Sequence, residues 1–189
     1  MAFNDIPQYR QWIVREAQKQ GVPSDLALRL ATRESGMWQY DNHGALLRSS
    51  KGALGIMQVM PGTAPDMDLS DPEQNIVAGV RELARLFHGF ESWTLAVAAY
   101  NAGEGRLHRA LQGMARIPQE TREYVQAILG QGSLRELLVV TSSPAGGNQE
   151  RTYSAMRAMP RRPAQTEIKP QVWVAGALIG AALFLLWNS

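Results

Sequence analysis

The chain has no cysteine among its 189 residues. That excludes a disulfide framework and a thiolate metal site, and it leaves cytosol, periplasm and virion open as compartments. Charge of one sign is also scarce, with a formal net charge of +2. Residues 1–140 hold 14 Lys+Arg against 15 Asp+Glu, whereas residues 141–189 hold 5 against 2. The basic excess sits in the tail, so no nucleic-acid partner is indicated for the main body. Period-2 alternation of any length is absent, which argues against half-buried strands. No internal repeat occurs. The first ten residues lack a basic segment leading into an apolar one, so no cleavable secretory signal is expected. His43, His88 and His108 show no metal-ligand spacing, and there is neither a nucleophile elbow nor a phosphate-binding glycine loop. No cofactor and no metal are expected.

What is present is enough apolar material for a core, 45% of residues, arranged at helical spacing. Tyr9, Trp12, Ile13 and Ala17 predict a helix over about 7–20, capped by Asn4 or Asp5 and ended by Gly21. Ser24 is the expected N-cap of a second helix. In it Leu26, Leu30 and Glu34 follow at i, i+4 and i+8. Residues 36–70 are rich in Gly, Ser, Asn, Asp and Pro and predict loops around one apolar segment, 54–60. Ser70-Asp71-Pro72-Glu73 is a strong helix start, with Ile76, Val80, Leu83 and Phe87 as its buried face. Further helices are predicted over about 92–101, 104–112 and 119–129. The fold class is all-α. Three regions are expected: a domain over 1–140, a Ser/Pro/Gly/Arg-rich linker over 141–170, and an apolar helix over 171–188.

Four short segments carry candidate chemistry, and each has a plain structural alternative. Glu34 ends an apolar stripe, where desolvation would raise its pKa and let it donate a proton. A surface glutamate paired with Arg29 or Arg33 is the alternative. Gly55 to Pro61 sets Gln58 and Met60 in a glycine-framed turn, which fits either a ligand contact or a buried turn with a core methionine. Tyr100-Asn101 before Ala102-Gly103 offers a ring and an amide suited to a sugar, or a core tyrosine with a helix C-cap. Glu120-Thr121 begins a helix, where first-turn charge and capping would explain both.

Jointly and in order, these residues resemble the soluble lytic transglycosylase (SLT) catalytic domain, a goose-type lysozyme relative. The resemblance runs from Ile6 to Leu129. It rests on Val22-Pro23-Ser24-Asp25-Leu26, Glu34-Ser35, the run from Gly52 to Ala64 (GALGIMQVMPGTA), Asp71 to Ile76, Ala98 to Gly103, and Glu120-Thr121 with Tyr124-Val125. It implies a lysozyme-like helical domain with a substrate cleft. It implies Glu34 as catalytic acid and base, and Ser49, Gln58, Met60, Tyr100, Asn101 and Glu120 as residues lining the saccharide cleft. Two departures stand out. The stretch from Glu34 to Ser49 is about six residues longer than the family pattern, which leaves Ser50 as an alternative to Ser49. The position three after Gly79, often Tyr in the family, is Glu82.

The implied reaction is non-hydrolytic cleavage of the β-1,4 bond from N-acetylmuramic acid to N-acetylglucosamine, leaving a 1,6-anhydro ring. It needs one carboxyl group, where most glycosidases need two. Asp41, in the longer loop, is a candidate second carboxylate, and a hydrolytic muramidase is the alternative it raises. A non-catalytic, structural or wall-binding virion protein is a further alternative.

Val172 to Trp187 has no charged residue, carries tryptophans near both ends, and contains Gly176-x-x-x-Gly180. It is expected to anchor the chain in a membrane and to pair with another helix. Arg157, Arg161, Arg162 and Lys169 precede it, which would hold the domain on the cytoplasmic side. A peptidoglycan substrate lies on the other side. An enzyme packed into the internal membrane of a bacteriophage particle, as tectiviruses have, and used at entry reconciles the two. The bacterial inner membrane is the alternative location.

Overall fold

The computed structural model describes residues 3–142, and the expected membrane helix lies outside them. The described residues fold as a helical domain with no strand, only three isolated bridges in the loop region: Tyr40 with Leu46, Arg48 with Leu54, and Leu54 with Val59. None of its helices is long and apolar enough to cross a membrane.

Seven α-helices form among the described residues, and the periodicity places six of them. Helix α1 is Ile6–Gln20, with Asp5 accepting the Gln8 amide at its start and Gly21 in left-handed conformation at its end. Helix α2 is Ser24–Ser35. Ser24 is not its N-cap. The cap is Pro23, whose carbonyl accepts the Ala27 amide, so Ser24 already lies in the first turn. Helix α3, Pro72–Phe90, starts as expected, with the Asp71 carboxylate accepting the Gln74 amide. Ile76, Val80 and Leu83 are fully buried. Phe87 is only half-buried and stacks on Trp93 at 3.9 Å. Helices α4 (Trp93–Ala102), α5 (Glu104–Leu111) and α6 (Gln119–Leu129) follow.

A seventh helix, α7 (Gln131–Ser142), was not expected. Gly130 and Gly132 flank its start and mask its period. Leu137 and Val140 bury against the domain, and the Glu136 carboxylate accepts hydrogen bonds from Ser92 and Thr94 at the start of α4.

The core lies around α4. Residues Thr94 to Ala99 are all buried, because the helix is apolar on nearly every side. Around it pack α3, α5, α6 and α7, with α1 against α2 and α3. The loop between α2 and α3 crosses one end of this bundle, and two buried amides position it there.

Candidate active site

The loop turn at residues 54–58 is held from four sides. Asn75, fully buried on α3, accepts the Met57 amide at 2.9 Å and donates to the carbonyls of Leu54 at 2.9 Å and Leu69 at 3.2 Å. Gln39, equally buried, accepts the Ile56 amide at 3.0 Å and donates to Leu69 and Ser70. Ser35, at the end of α2, donates to the Ile56 carbonyl at 2.8 Å. Tyr100 on α4 donates to the Met57 carbonyl at 2.7 Å. Backbone polar groups without partners would be costly here, and the amides of residues 54–58 and the carbonyls of residues 54–57 all have one.

Two glycines let this turn approach so closely. A Cβ on Gly79 would lie 2.3 Å from the Met57 Cβ, and one on Gly55 would lie 2.3 Å from Gln39 Oε1. Gln58, at the tip, has a positive φ of 48°. That conformation is unfavourable for a residue with a side chain, and the surrounding bonds over-determine it.

Glu34 stands on the last turn of α2, half-buried. Burial pushes its carboxyl above the usual glutamate range. The Tyr124 phenol donates to Glu34 Oε1 and pulls the other way, as does the Arg33 charge more weakly; the Glu120 charge adds to the rise. Among the described residues Glu34 Oε2 takes no protein hydrogen bond, so a proton on the carboxyl belongs there. Burial, with the charge of Glu34 next, raises the Tyr124 and Tyr100 phenols well above their usual value. Both therefore remain hydrogen-bond donors at neutral pH.

The other expected residues divide. Tyr100 is coupled electrostatically to Glu34, but its hydroxyl is spent on the Met57 carbonyl, leaving its ring rather than its polar tip to a ligand. Asn101 Oδ1 accepts from Thr121 at 2.7 Å, which ties the end of α4 to the start of α6. Glu120 is exposed in the first turn of α6, with its charge reaching Glu34. Met60 is 45% exposed. Gln58 donates to the Gly55 carbonyl at 2.8 Å within its own turn. Ser49 Oγ accepts the Ala53 amide at 3.0 Å, so its bond also stays within a local turn.

Asp41 makes a local turn as well. Its Oδ1 accepts the amides of His43 at 2.8 Å and Ala45 at 3.0 Å, and these bonds hold its carboxyl below the usual aspartate range. The carboxylate whose charge reaches Glu34 is Glu120, not Asp41. Asn4 fastens the same loop, accepting from the amides of Gln39 and Tyr40 and donating to the Tyr40 carbonyl.

Sequence reasoning missed Tyr124, Gln39 and Asn75 as parts of the site. Tyr124 carried one signal, since a tyrosine on a buried helical face needs a partner for its hydroxyl. Gln39 lies in a polar loop and carried none.

Comparison with known proteins places the chain in a family. Residues 11–121 match the transglycosylase SLT domain, and the chain belongs to that family. Membrane-bound lytic murein transglycosylase D of Escherichia coli K12 is 33% identical over 144 residues, 64% of this chain and 30% of that protein. The soluble lytic murein transglycosylase of the same strain is 31% identical over 154 residues, 68% of this chain and 22% of that protein. The chain thus spans less than a third of the length of these relatives. The crystal structure of the 70 kDa soluble lytic transglycosylase from Escherichia coli matches with a TM-score of 0.55 and 29% identity, over 72% of this chain and 25% of that one. An inactive glutamate-to-glutamine mutant of Slt from Pseudomonas aeruginosa matches with a TM-score of 0.54 and 29% identity, over 71% and 24%.

Proposed function

We propose that the chain is a lytic transglycosylase that cleaves the β-1,4 bond between N-acetylmuramic acid and N-acetylglucosamine in peptidoglycan. The observation that carries this is Glu34: a desolvated carboxyl, oriented through Oε1 by Tyr124, with Oε2 left to carry the proton. In this reading Oε2 gives its proton to the glycosidic oxygen as the bond to the muramic acid C1 breaks. The resulting carboxylate then takes the proton of the muramic acid C6 hydroxyl. That oxygen bonds to C1 and closes the 1,6-anhydro ring. One carboxyl group serves as acid and then base, and no water enters. The Glu120 charge near Glu34 favours its protonated form before cleavage. Tyr100, Asn101, Gln58, Met60, Glu120 and Ser49 would line the cleft.

Mass spectrometry of peptidoglycan digests tests this. Products lighter than hydrolytic ones by one water are expected from the wild type and none from Glu34→Gln. Hydrated ends would make the chain a muramidase. Equal digestion by Glu34→Gln would remove Glu34 from the chemistry.

In the same reading residues 172–187 anchor the domain in a membrane, pairing through Gly176 and Gly180, and a phage particle carries it to the wall. The uncharged run and the Arg157, Arg161, Arg162 and Lys169 cluster before it support this. Detection in the membrane fraction of purified virions is the expected result. Finding the protein only in uninfected cells would overturn it.

A further inference from the structure

A second concave site lies on the domain, along α2 on the side of Arg29 and Arg33. Its volume is about 370 Å³, and Arg10 of α1 with Arg29 and Arg33 of α2 line it. Leu28, Ala127 and Ile128 form its apolar part. Arg29 and Arg33 are four residues apart and so share a face of α2. At 3.6 residues per turn, Arg29 and the lining residue Thr32 lie roughly 140–160° around α2 from Glu34. Arg33, the neighbour of Glu34, lies between the two, roughly 100° from it.

Three arginines from two helices line this groove. Among the described residues Arg29 pairs with Asp25 at 2.9 Å, and both side chains of that pair are half-exposed. Arg10 and Arg33 make no salt bridge and no side-chain hydrogen bond among the described residues. The groove is thus lined by three cationic side chains, one of them ion-paired. Planar guanidinium forks match phosphate geometry, and a phosphate monoester carries about −1.5 to −2 at neutral pH.

We propose that this groove between α1, α2 and α6 binds a phosphate monoester group through Arg10, Arg29 and Arg33. The proposal does not depend on the proposed reaction, although the Arg33 charge reaches Glu34. Its role would be to dock the domain on phosphate-bearing material while the cleft works on the glycan.

Calorimetric titration of the full chain with inorganic phosphate in low-salt buffer tests it. Saturable binding to one site is expected, weakened about tenfold for each arginine lost in Arg10→Gln and in Arg10→Gln/Arg33→Gln. Phosphate should also raise the Tm of the wild type and not that of the double variant. Arg10→Gln should digest isolated glycan strands at the wild-type rate. Phosphatidylcholine vesicles doped with phosphatidic acid distinguish the source. Displacement of bound phosphate by them would assign a lipid headgroup, and no displacement would assign a soluble phosphate compound. Absence of saturable phosphate binding, or equal binding by the double variant, would overturn the proposal.

Discussion

Tyr124 and Glu34 are 90 positions apart in the sequence, and the Tyr124 phenol donates its hydrogen bond to Glu34 Oε1. The bond joins α6 to the end of α2 at the carboxyl assigned the chemistry. It opposes burial, which pushes Glu34 toward its protonated form. Two helices therefore set both the orientation and the acidity of one group.

Tyr124→Phe removes that bond while keeping the ring, which is 4% exposed. The bond lowers the Glu34 pKa, so its loss must raise it. The active form at the first step is the protonated acid. The alkaline limb of the pH–rate profile should therefore move to higher pH. The maximum rate should fall about tenfold or more because the carboxyl is less well oriented. Muropeptide release across a pH series measures both. An alkaline limb that moves down would contradict the assignment.

Much of this arrangement was legible before folding. Asp5, Gly21 and Asp71 sit where caps and stops were expected, because capping depends on neighbours in sequence. Glu34 ending an apolar stripe implied desolvation, and the carboxyl is desolvated. The loop over 36–60 was not legible in the same way. Gln39 and Asn75 satisfy backbone groups 17 and 18 residues away, and no local periodicity encodes such a pairing. Phe87 matched the period of α3 but found Trp93 at the surface instead of the core. Asp41 could not be told from a cleft carboxylate until its own loop was seen to claim it.

Gly79 and Gly89 lie on the same helix and should respond oppositely to alanine. A Cβ on Gly79 meets the Met57 side chain at 2.3 Å, whereas one on Gly89 meets nothing within 4 Å. Gly79→Ala should destabilise by about 2–3 kcal/mol through overpacking and should lower activity by displacing the 54–58 turn. Gly89→Ala should stabilise by up to about 1 kcal/mol from helix propensity. Urea denaturation of the two variants gives the comparison. Similar effects would mean that the turn does not rest on the bare face of Gly79.

Glu136 makes α7 part of the domain. Its two carboxylate oxygens accept from Ser92 at 2.9 Å and from the nearly buried Thr94 at 2.7 Å, beside the positive end of the α4 dipole. Glu136→Ala leaves the Thr94 hydroxyl without that partner. A loss of about 1–3 kcal/mol is expected in denaturant unfolding. Glu136→Gln should lose less, since one amide oxygen still accepts. Wild-type stability in Glu136→Ala would show that α7 docks through Leu137 and Val140 alone.

Glu34→Gln should unfold at a higher temperature than the wild type at neutral pH, although it should lose activity by two orders of magnitude or more. The sign follows from linkage. The carboxyl has a higher pKa in the folded chain than in the unfolded one, with burial as the leading cause. Folding therefore favours the protonated form, and ionised Glu34 opposes folding at neutral pH. Below the unfolded glutamate pKa of about 4.3 both states are protonated and the penalty is absent. It grows as pH rises from there toward the folded pKa, and is constant above it. Glutamine has no charge to desolvate, and its Oε1 still accepts from Tyr124. The stability difference between variant and wild type should thus be small near pH 4, widen with pH, and level off. Thermal unfolding of both proteins across that range measures it. A variant less stable than wild type at neutral pH, or a gap that does not change with pH, would mean that Glu34 is not the desolvated acid the mechanism requires.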